Sequence, residues 1–540
     1  MSNLSLAVFI PLVGAGLVLL APQGERTSRP LGLLAAFLSL VHSVLVLLGF
    51  DKTLGTFQMQ VDWPWVPALG IRFHLGVDGI SLWLMLLASL MVFLTLLSPH
   101  AMGAQRARAR EFVVAMLVLE AGMLGAFLAV DLFAFYVFWE VMLIPMYFII
   151  GVWGGEQRVH AALKFVIFTM VGSLLMLAAI LYVYVQVHRA TGQWTFDYVT
   201  WSTVALPRTA ELLCFLAFAL AFLIKVPIFP LHTWQPDAYV EASTGGSMLL
   251  AAVLAKFGAY GLLRFALPLF PVAAQQMAPA IAWLAVISIV FGALMAWVQH
   301  DLKRLVAYSS LSHMGFVVLG IITLTQTSVE GGLFQMLAHG IAAGGLFLAV
   351  GVLQDRRGTT LMADFGGLWK QTPLFAASFL VIVLTAVGLP GLCGFVGEFL
   401  VLMGTFTAGK DWQAAGLHVP LFGQPALLAS VATGAGILAA VYLLTMFQRV
   451  MFGSLDKTAS REPMRDLGWR ERFVFGVLVV AALFMGLMPQ PIIERTSATV
   501  KALTSGYASR LAEARNNPDG PAHRITSGVR DPRAEGVQRF

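Results

Sequence analysis

The chain has 540 residues, is 59% hydrophobic and only 11% charged, and has a mean hydropathy of +0.82. Soluble domains do not have that balance; long uncharged stretches of this kind are transmembrane segments. The formal net charge of +6 reads as basic loops against an anionic membrane leaflet and not as a nucleic-acid footprint.

Apolar stretches near twenty residues long, bounded by charges, Gly or Pro, predict an all-α polytopic protein of fourteen transmembrane helices. In chain order they fall at about 4–21, 30–50, 78–98, 112–130, 132–152, 161–186, 210–231, 243–267, 278–298, 303–324, 331–353, 373–406, 423–452 and 472–490. No basic segment precedes the first, so it reads as a retained helix and not a cleaved signal. Loops after odd-numbered helices hold seventeen Lys and Arg, among them Arg26, Arg106, Arg158, Lys303, Arg356 and Arg470. Those after even-numbered helices up to twelve hold six: Lys52, Arg72, Arg189, Arg208, Arg264 and Lys410. The excess places the first set in the cytoplasm and the N-terminus outside. Beyond Gln490 the eight Lys and Arg fit that scheme poorly. The run Asn516-Asn517-Pro518-Asp519-Gly520-Pro521 there predicts a mobile appendage with one short helix at 494–514.

Predicted helix seven is broken by Val226-Pro227-Ile228-Phe229-Pro230, and helix twelve by Gly388-Leu389-Pro390-Gly391. Freed backbone groups at membrane depth are tolerated only where protein or water surrounds them. The breaks are five helices apart. Five is odd, so a duplicated five-helix unit would re-enter the membrane upside down, the inverted-repeat plan of transporters. The registers differ, since Lys225 precedes its break and Glu398 follows the other. The expected division is 1–111 for helices one to three, 112–267 and 278–452 for the repeats, 472–490 for helix fourteen, and 491–540 for the mobile tail.

Four ionisable residues stand deep in apolar runs: Glu140, Lys225, Lys256 and Glu398. A charge at bilayer depth costs on the order of 3 kcal/mol or more, so it persists mainly where it acts. His313 and His339, in helices ten and eleven, add imidazoles, a group whose unperturbed pKa lies near 6.5. The order acid, base, base, acid suits proton relay. Burial disfavours charge on either partner of a Lys–Glu pair, whereas pairing holds both charged. Separating Lys225 from Glu140 at an effective dielectric of ~20 changes the energy by roughly 4 kcal/mol, about three decades of proton affinity. The bland readings stand beside this one. A buried Lys–Glu pair can simply fix helix register, Lys256 and Glu398 can snorkel if the helix limits shift by a turn, and a membrane histidine is often a helix–helix contact. His232, at the cytoplasmic end of Leu231-His-Thr-Trp-Gln-Pro-Asp237, fits a loop role as well as proton uptake.

Cys214 and Cys393 lie inside apolar spans with no CxxC spacing, so no metal cluster is expected in this chain. Nucleotide-binding glycine patterns are missing too.

Several stretches resemble the antiporter-like membrane subunits of the proton-translocating NADH–quinone oxidoreductase (respiratory complex I), of the chain M type. They are Phe138–Tyr147 (FWEVMLIPMY), Lys225–Ala238 (KVPIFPLHTWQPDA), Val240–Ser247 (VEASTGGS), Asp301–Gly315 (DLKRLVAYSSLSHMG) and Gly388–Phe399 (GLPGLCGFVGEF). The resemblance runs from about residue 75 to 490. It implies fourteen helices with two inverted five-helix repeats and discontinuous helices seven and twelve. It implies Glu140 and Lys225 as a coupled pair, Lys256 as the central relay, Glu398 as the exit-side group, and His313 and His339 along the polar axis between them. Sister subunits usually carry lysine at the position of Glu398, so the glutamate favours the chain M type. The expected absence of a long lateral amphipathic helix after the last span favours it too. FMN, iron–sulfur clusters and quinone are then expected in partner subunits and no cofactor in this chain. The expected partners are other membrane subunits, sister antiporter-like subunits included, and the lipid bilayer, with no nucleic acid. The expected location is the bacterial inner membrane. A multisubunit cation/proton antiporter or a membrane-bound hydrogenase shares the same resemblance. A self-contained carrier for a small solute and an inert membrane scaffold are the readings from other classes.

Overall fold

Long apolar runs rich in Leu, Ala, Met and Phe favour continuous helix, and the computed structural model is built that way. It describes residues 3–103, 106–409, 424–453, 463–516 and 523–524. Lys410, Lys457, Arg461 and the tail at 517–522 and 525–540 lie outside the described residues.

The chain begins with α1 (Leu6–Leu20) and α2 (Glu25–Leu48), then an antiparallel hairpin of β1 (Gln58–Val66) and β2 (Ile71–Val77). Next come α3 (Ser81–Leu97), α4 (Ala109–Leu128), α5 (Leu132–Val141), α6 (Leu143–Trp153), α7 (Arg158–Thr191), the short α8 (Tyr198–Trp201), α9 (Arg208–Lys225) and α10 (Trp234–Glu241). A single winding segment follows: α11 (Thr244–Leu249), a π turn (Leu250–Leu254), α12 (Lys256–Gly261), a second π turn (Leu262–Ala266) and α13 (Leu267–Leu269). Then come α14 (Pro271–Trp297), α15 (Leu302–Thr323), α16 (Gln326–Arg357), α17 (Leu368–Gln371), α18 (Pro373–Val387), α19 (Cys393–Thr407), α20 (Pro425–Met451), α21 (Trp469–Leu487) and α22 (Gln490–Asn516).

Among the described residues nine helices are long and apolar enough to cross a membrane, and α21 with α22, bent by 67°, makes up to ten. α1, α3, α18 and α19 are shorter apolar helices. α9 stands outside both groups, because its 18 residues include Arg208, Glu211 and Lys225.

Local chemistry sets the boundaries. Asp131 accepts from Ala134 N at 2.9 Å to start α5, and Asp301 accepts from Arg304 N at 2.9 Å to start α15. A Thr325/Ser328 capping box starts α16. α9 stops at Lys225, just before Pro227, and the chain is irregular until α10. α18 stops at Gly388, whose φ of +78° is a left-handed conformation that glycine supplies readily.

Three expectations need correction. The chain is mostly but not wholly helical, since the loop after α2 folds into the β1–β2 hairpin, where β-favouring Val61, Trp63, Trp65 and Val66 replace a helix-forming run. The tail from 491 is not wholly a loose appendage: the short helix expected at 494–514 is present and extended to Gln490–Asn516, so a long lateral helix does follow the last span. α22 turns away from α21 and docks on this chain. Lys52 pairs with Glu494 at 2.6 Å, Gly79 N donates to Thr499 Oγ1 at 3.0 Å, and Tyr507 OH donates to Pro271 O at 3.0 Å. Those contacts supply the partners that the composition of 490–516 alone does not announce.

The loops gather at two ends. At one end Arg29 donates to the carbonyls of Leu96 and Leu97, His100 meets Asp355 and Glu471, and Arg356 donates to Arg465 O. At the other lie the hairpin, the Asp131 and Asp197 turns, the start of α14 and α22. The central winding segment and α16 are enclosed by protein, and α15 almost completely so. α7, by contrast, shows Leu163, Ile167, Val171 and Leu174 on an exposed apolar face. Deep charges on the enclosed elements are therefore shielded from lipid.

Candidate functional site

Each ionisable residue singled out above sits beside an irregularity in its helix. Glu140 is in the last turn of α5, two residues before Met142, where α5 gives way to α6. Lys225 is the last residue of α9. Lys256 opens α12 between two π turns, a distortion that re-aims side chains without ending the helix. Glu398 lies in the second turn of α19, just past the Gly388–Gly391 break.

Lys225 is buried, and its Nζ stands 4.9 Å over the Trp139 ring and 5.6 Å over the Phe165 ring. Its ammonium has no hydrogen-bond partner, and Glu140, whose Oε1 is buried and also unpartnered, is the charge that acts on it. Glu140 and Lys225 do not make a contact ion pair in this structure. The aromatic cradle offers the ammonium about 2 kcal/mol when desolvated, a holding place and not a full counter-charge.

The second half of the row falls into two contact pairs. Lys256 Nζ lies 2.5 Å from His339 Nδ1 and donates to Ala251 O at 2.5 Å, a carbonyl of the first π turn. The His339 and His313 ring centroids are 6.0 Å apart. His313 Nδ1 meets Glu398 Oε1 at 2.9 Å, and Gln335 Nε2 donates to the same oxygen at 3.2 Å. An ammonium only donates, so with Lys256 charged His339 Nδ1 accepts; once Lys256 has lost a proton, Nδ1–H can donate back. Four groups on α12, α16, α15 and α19 are thus strung from the first half of the chain to the second broken helix.

Lys225 and Lys256 are not joined directly. Gly258 of α12 packs on the backbone of Phe222 and Val226, where a Cβ would clash with a carbonyl oxygen. Tyr239 reaches the π turn beside Lys256, donating to Leu250 O at 3.1 Å, and Ser310 and Gln235 act on its hydroxyl. His232 lies in the break after α9, packed against Phe229 and Phe291 with Nδ1 unpartnered, and the structure does not bring it to the row.

Other polar groups lie off the row. Arg264, expected as a loop charge, is buried in the second π turn and pairs with Asp78, which also caps the start of α3 through Ser81 N at 3.0 Å. A cavity of about 310 Å³ adjoins that pair, lined also by His74 and Asp197. Asp197 is held below the usual carboxylate range: burial works against its charge, but His74 at 3.2 Å and hydrogen bonds from Thr200 outweigh that. Lys164 and Asp237 pair at 2.6 Å. Spacing alone gave no sign of these pairs, because each joins residues more than seventy positions apart. Among the described residues no group of three His, Cys, Asp or Glu could hold a metal ion.

Residues 129–419 match the family described as NADH:quinone oxidoreductase/Mrp antiporter, TM. The NADH-quinone oxidoreductase subunit M of Rhodobacter capsulatus is 39% identical over 526 residues, 94% of this chain and 97% of that protein. A chain of the respiratory complex I from Thermus thermophilus superposes with a TM-score of 0.81 at 35% identity, covering 93% of this chain and 99% of that one. A chain of the Mrp complex from Dietzia sp. shares the fold at TM-score 0.79 and 20% identity, covering 94% and 99%. The stretches that carry Glu140, Lys225, Lys256, His313, His339 and Glu398 all fall within the matched residues, and the chain belongs to the NADH:quinone oxidoreductase/Mrp antiporter family of membrane subunits.

Proposed function

We infer that this chain is a proton-translocating membrane subunit of an NADH–quinone oxidoreductase, of the subunit M type, working among other membrane subunits. The observation that carries the reading is the contact of Lys256 with His339, followed by His313 with Glu398, the first three of them on helices enclosed by protein. A row of neutralisable bases ending on a carboxyl passes a proton sideways through the membrane's middle. The redox chemistry belongs to partner subunits that hold FMN, iron–sulfur clusters and quinone. Its energy reaches this subunit as a change in charge or shape at one end of the row.

In this reading Glu140 sets the proton affinity of Lys225. When the carboxylate approaches, Lys225 is charged. When it withdraws, the cradle of Trp139 and Phe165 holds the ammonium weakly, and its proton moves on through the Gln235, Tyr239 and Ser310 region to Lys256. His339 and His313 carry it to Glu398, beside the second break. His232 serves uptake from the cytoplasmic side.

The finer architecture is fourteen spans with two inverted repeats, 112–267 and 278–452. It is supported by the opposite senses of the broken helices. α9 starts at the end where Glu211 caps α14, while α18 starts at the other end, where Leu374 N donates to Asp466 at 2.9 Å. The end holding Arg29, Arg356 and Arg465 is cytoplasmic by its excess of Lys and Arg, which puts the N-terminus outside in a bacterial inner membrane.

The test is Lys225→Ala in the assembled complex, with proton transport measured in proteoliposomes. The reading expects the complex to assemble and coupled transport to fall on the order of 100-fold, the contribution of a positioned acid–base group. Normal coupled transport refutes it. The Mrp-like fold supports a second reading, a cation/proton antiporter subunit; purification with redox subunits decides between them.

A further inference from the structure

The row leaves one fully buried carboxyl unused. Glu120 sits near the middle of the 20-residue α4, and neither carboxylate oxygen has a hydrogen-bond partner. On the helical wheel, Gly122 and Gly125 mark the α4 face that closes on Met142 and Phe138 of α5. At 100° per residue Glu120 points 140–160° away from that face, so α4 itself separates it from Glu140. What it meets instead is α2: Ser39, buried and likewise unpartnered, is the polar side chain that acts on Glu120.

Ser39 belongs to a polar strip on the buried side of α2. Ser43, one turn on, donates to Ser39 O at 3.0 Å and meets Ser89 of α3 at 2.8 Å. His42, three residues from Ser39 and on the same face, is buried with both ring nitrogens unpartnered. The backbone of Asn3, an exposed residue ahead of α1, lies against His42. The strip therefore runs from the bilayer's middle to the end of the bundle where the chain starts.

Counter-charges are scarce around Glu120. α1 and α3 carry no titratable side chain at all. On α2 the charged residues Glu25, Arg26 and Arg29 sit at the far end, which leaves His42. On α5 and α6, Tyr136, Glu140 and Tyr147 belong to the other side of α4. An ionised carboxylate without a counter-charge or hydrogen bonds is too costly to keep at this depth. Glu120, Ser39 and His42 thus form a row of three buried polar groups, Glu120 against Ser39 and His42 against the backbone of Asn3.

We propose that Glu120 is a second proton-holding site, exchanging its proton with the outer end of the bundle through Ser39 and His42 and separate from the Glu140–Glu398 row. Its chemistry is that of a neutral carboxylic acid that donates to a hydroxyl or imidazole, and deprotonates when a proton is drawn out along the strip. The inference concerns Glu120 itself, so its failure leaves the row's function standing.

Infrared spectroscopy of the whole purified complex in lipid tests it, reading protonated-carboxyl C=O stretching bands and their exchange in heavy water. Glu120→Gln should remove one such band. His42→Phe should keep that band but slow its exchange severalfold. No lost band in Glu120→Gln means the carboxyl is ionised and overturns the proposal. An unchanged exchange rate in His42→Phe overturns the path. If Glu120→Gln fails to assemble, the His42→Phe exchange rate decides on its own.

Discussion

At the residue scale, the proposed relay depends on its members differing in what they can do with a proton. Glu398 is half-buried and bonded to His313 Nδ1 and Gln335 Nε2, so it is oriented by two donors and still borders the break at Gly388. Glu398→Gln keeps an oxygen acceptor for His313 but cannot take up a proton. It should leave the complex assembled and cut coupled proton transport on the order of 100-fold, measured as pH change in the lumen of sealed vesicles. Transport near the wild-type rate would show that the carboxyl only orients His313. Most of these residues were legible in the sequence, because an ionisable group in the middle of an apolar run announces itself by cost. The same rule applies to Glu120, which follows eight uncharged residues from Phe112 to Leu119. The family motifs assign it nothing, and its meaning needed the facing helix. Arg264 was illegible for the opposite reason: it stands near a span end, and only the fold brings Asp78 to it.

At the scale of elements, the breaks after Lys225 and before Glu398 were readable from proline and glycine chemistry, whereas the π turns around Lys256 were not. A single sequence has no local signal for a shifted hydrogen-bond register; the distortion arises where α12 packs on the end of α9 at Gly258. The clasp at the Arg29 end was equally hidden. His100, in the loop after α3, meets Asp355 of α16 at 2.6 Å and Glu471 of α21 at 2.5 Å, and Arg356 holds the same Glu471 at 2.7 Å. Two carboxylates on two ring nitrogens require both to carry hydrogen, so the ring is an imidazolium. Burial opposes that charge, but the hydrogen bonds and charges of Asp355 and Glu471 outweigh it and raise the His100 pKa above its ordinary value. The sign follows from linkage. Stability from the clasp is present in full below the ordinary imidazole value, about 6.5, and is lost as pH rises through the raised value. Thermal unfolding of the purified complex should therefore weaken over that alkaline stretch in wild type, and His100→Gln should remove the pH-dependent part. Parallel pH curves for the two would contradict the assignment.

At the scale of the whole molecule, the mostly helical, membrane-spanning class follows from hydropathy, whereas nine to ten of the fourteen expected spans stand as long apolar helices among the described residues, and the β1–β2 hairpin was not announced. The β1–β2 hairpin and α22 are held by contacts across more than 400 residues of chain, such as Lys52 with Glu494 and Gly79 with Thr499. The sequence predicted a short helix at 494–514 but not its anchorage; docking extends it to Gln490–Asn516 and supplies its order. Ending the chain after residue 489 should therefore reduce the amount of assembled complex on native gels, while ending it after 516 should leave assembly intact. Equal assembly from both would show that α22 is dispensable. The family membership, the enclosed helices and the exposed apolar face of α7 agree with one another, and together they support the polar row as the proposed proton route through the bundle.

Lys256→Met tests that route most directly, because it removes the group that joins the two halves while keeping side-chain length. Proton transport by the assembled complex in proteoliposomes, driven by NADH oxidation with quinone, is the measurement. The account predicts normal assembly with coupled transport lost on the order of 100-fold. Undiminished transport in that variant would contradict it.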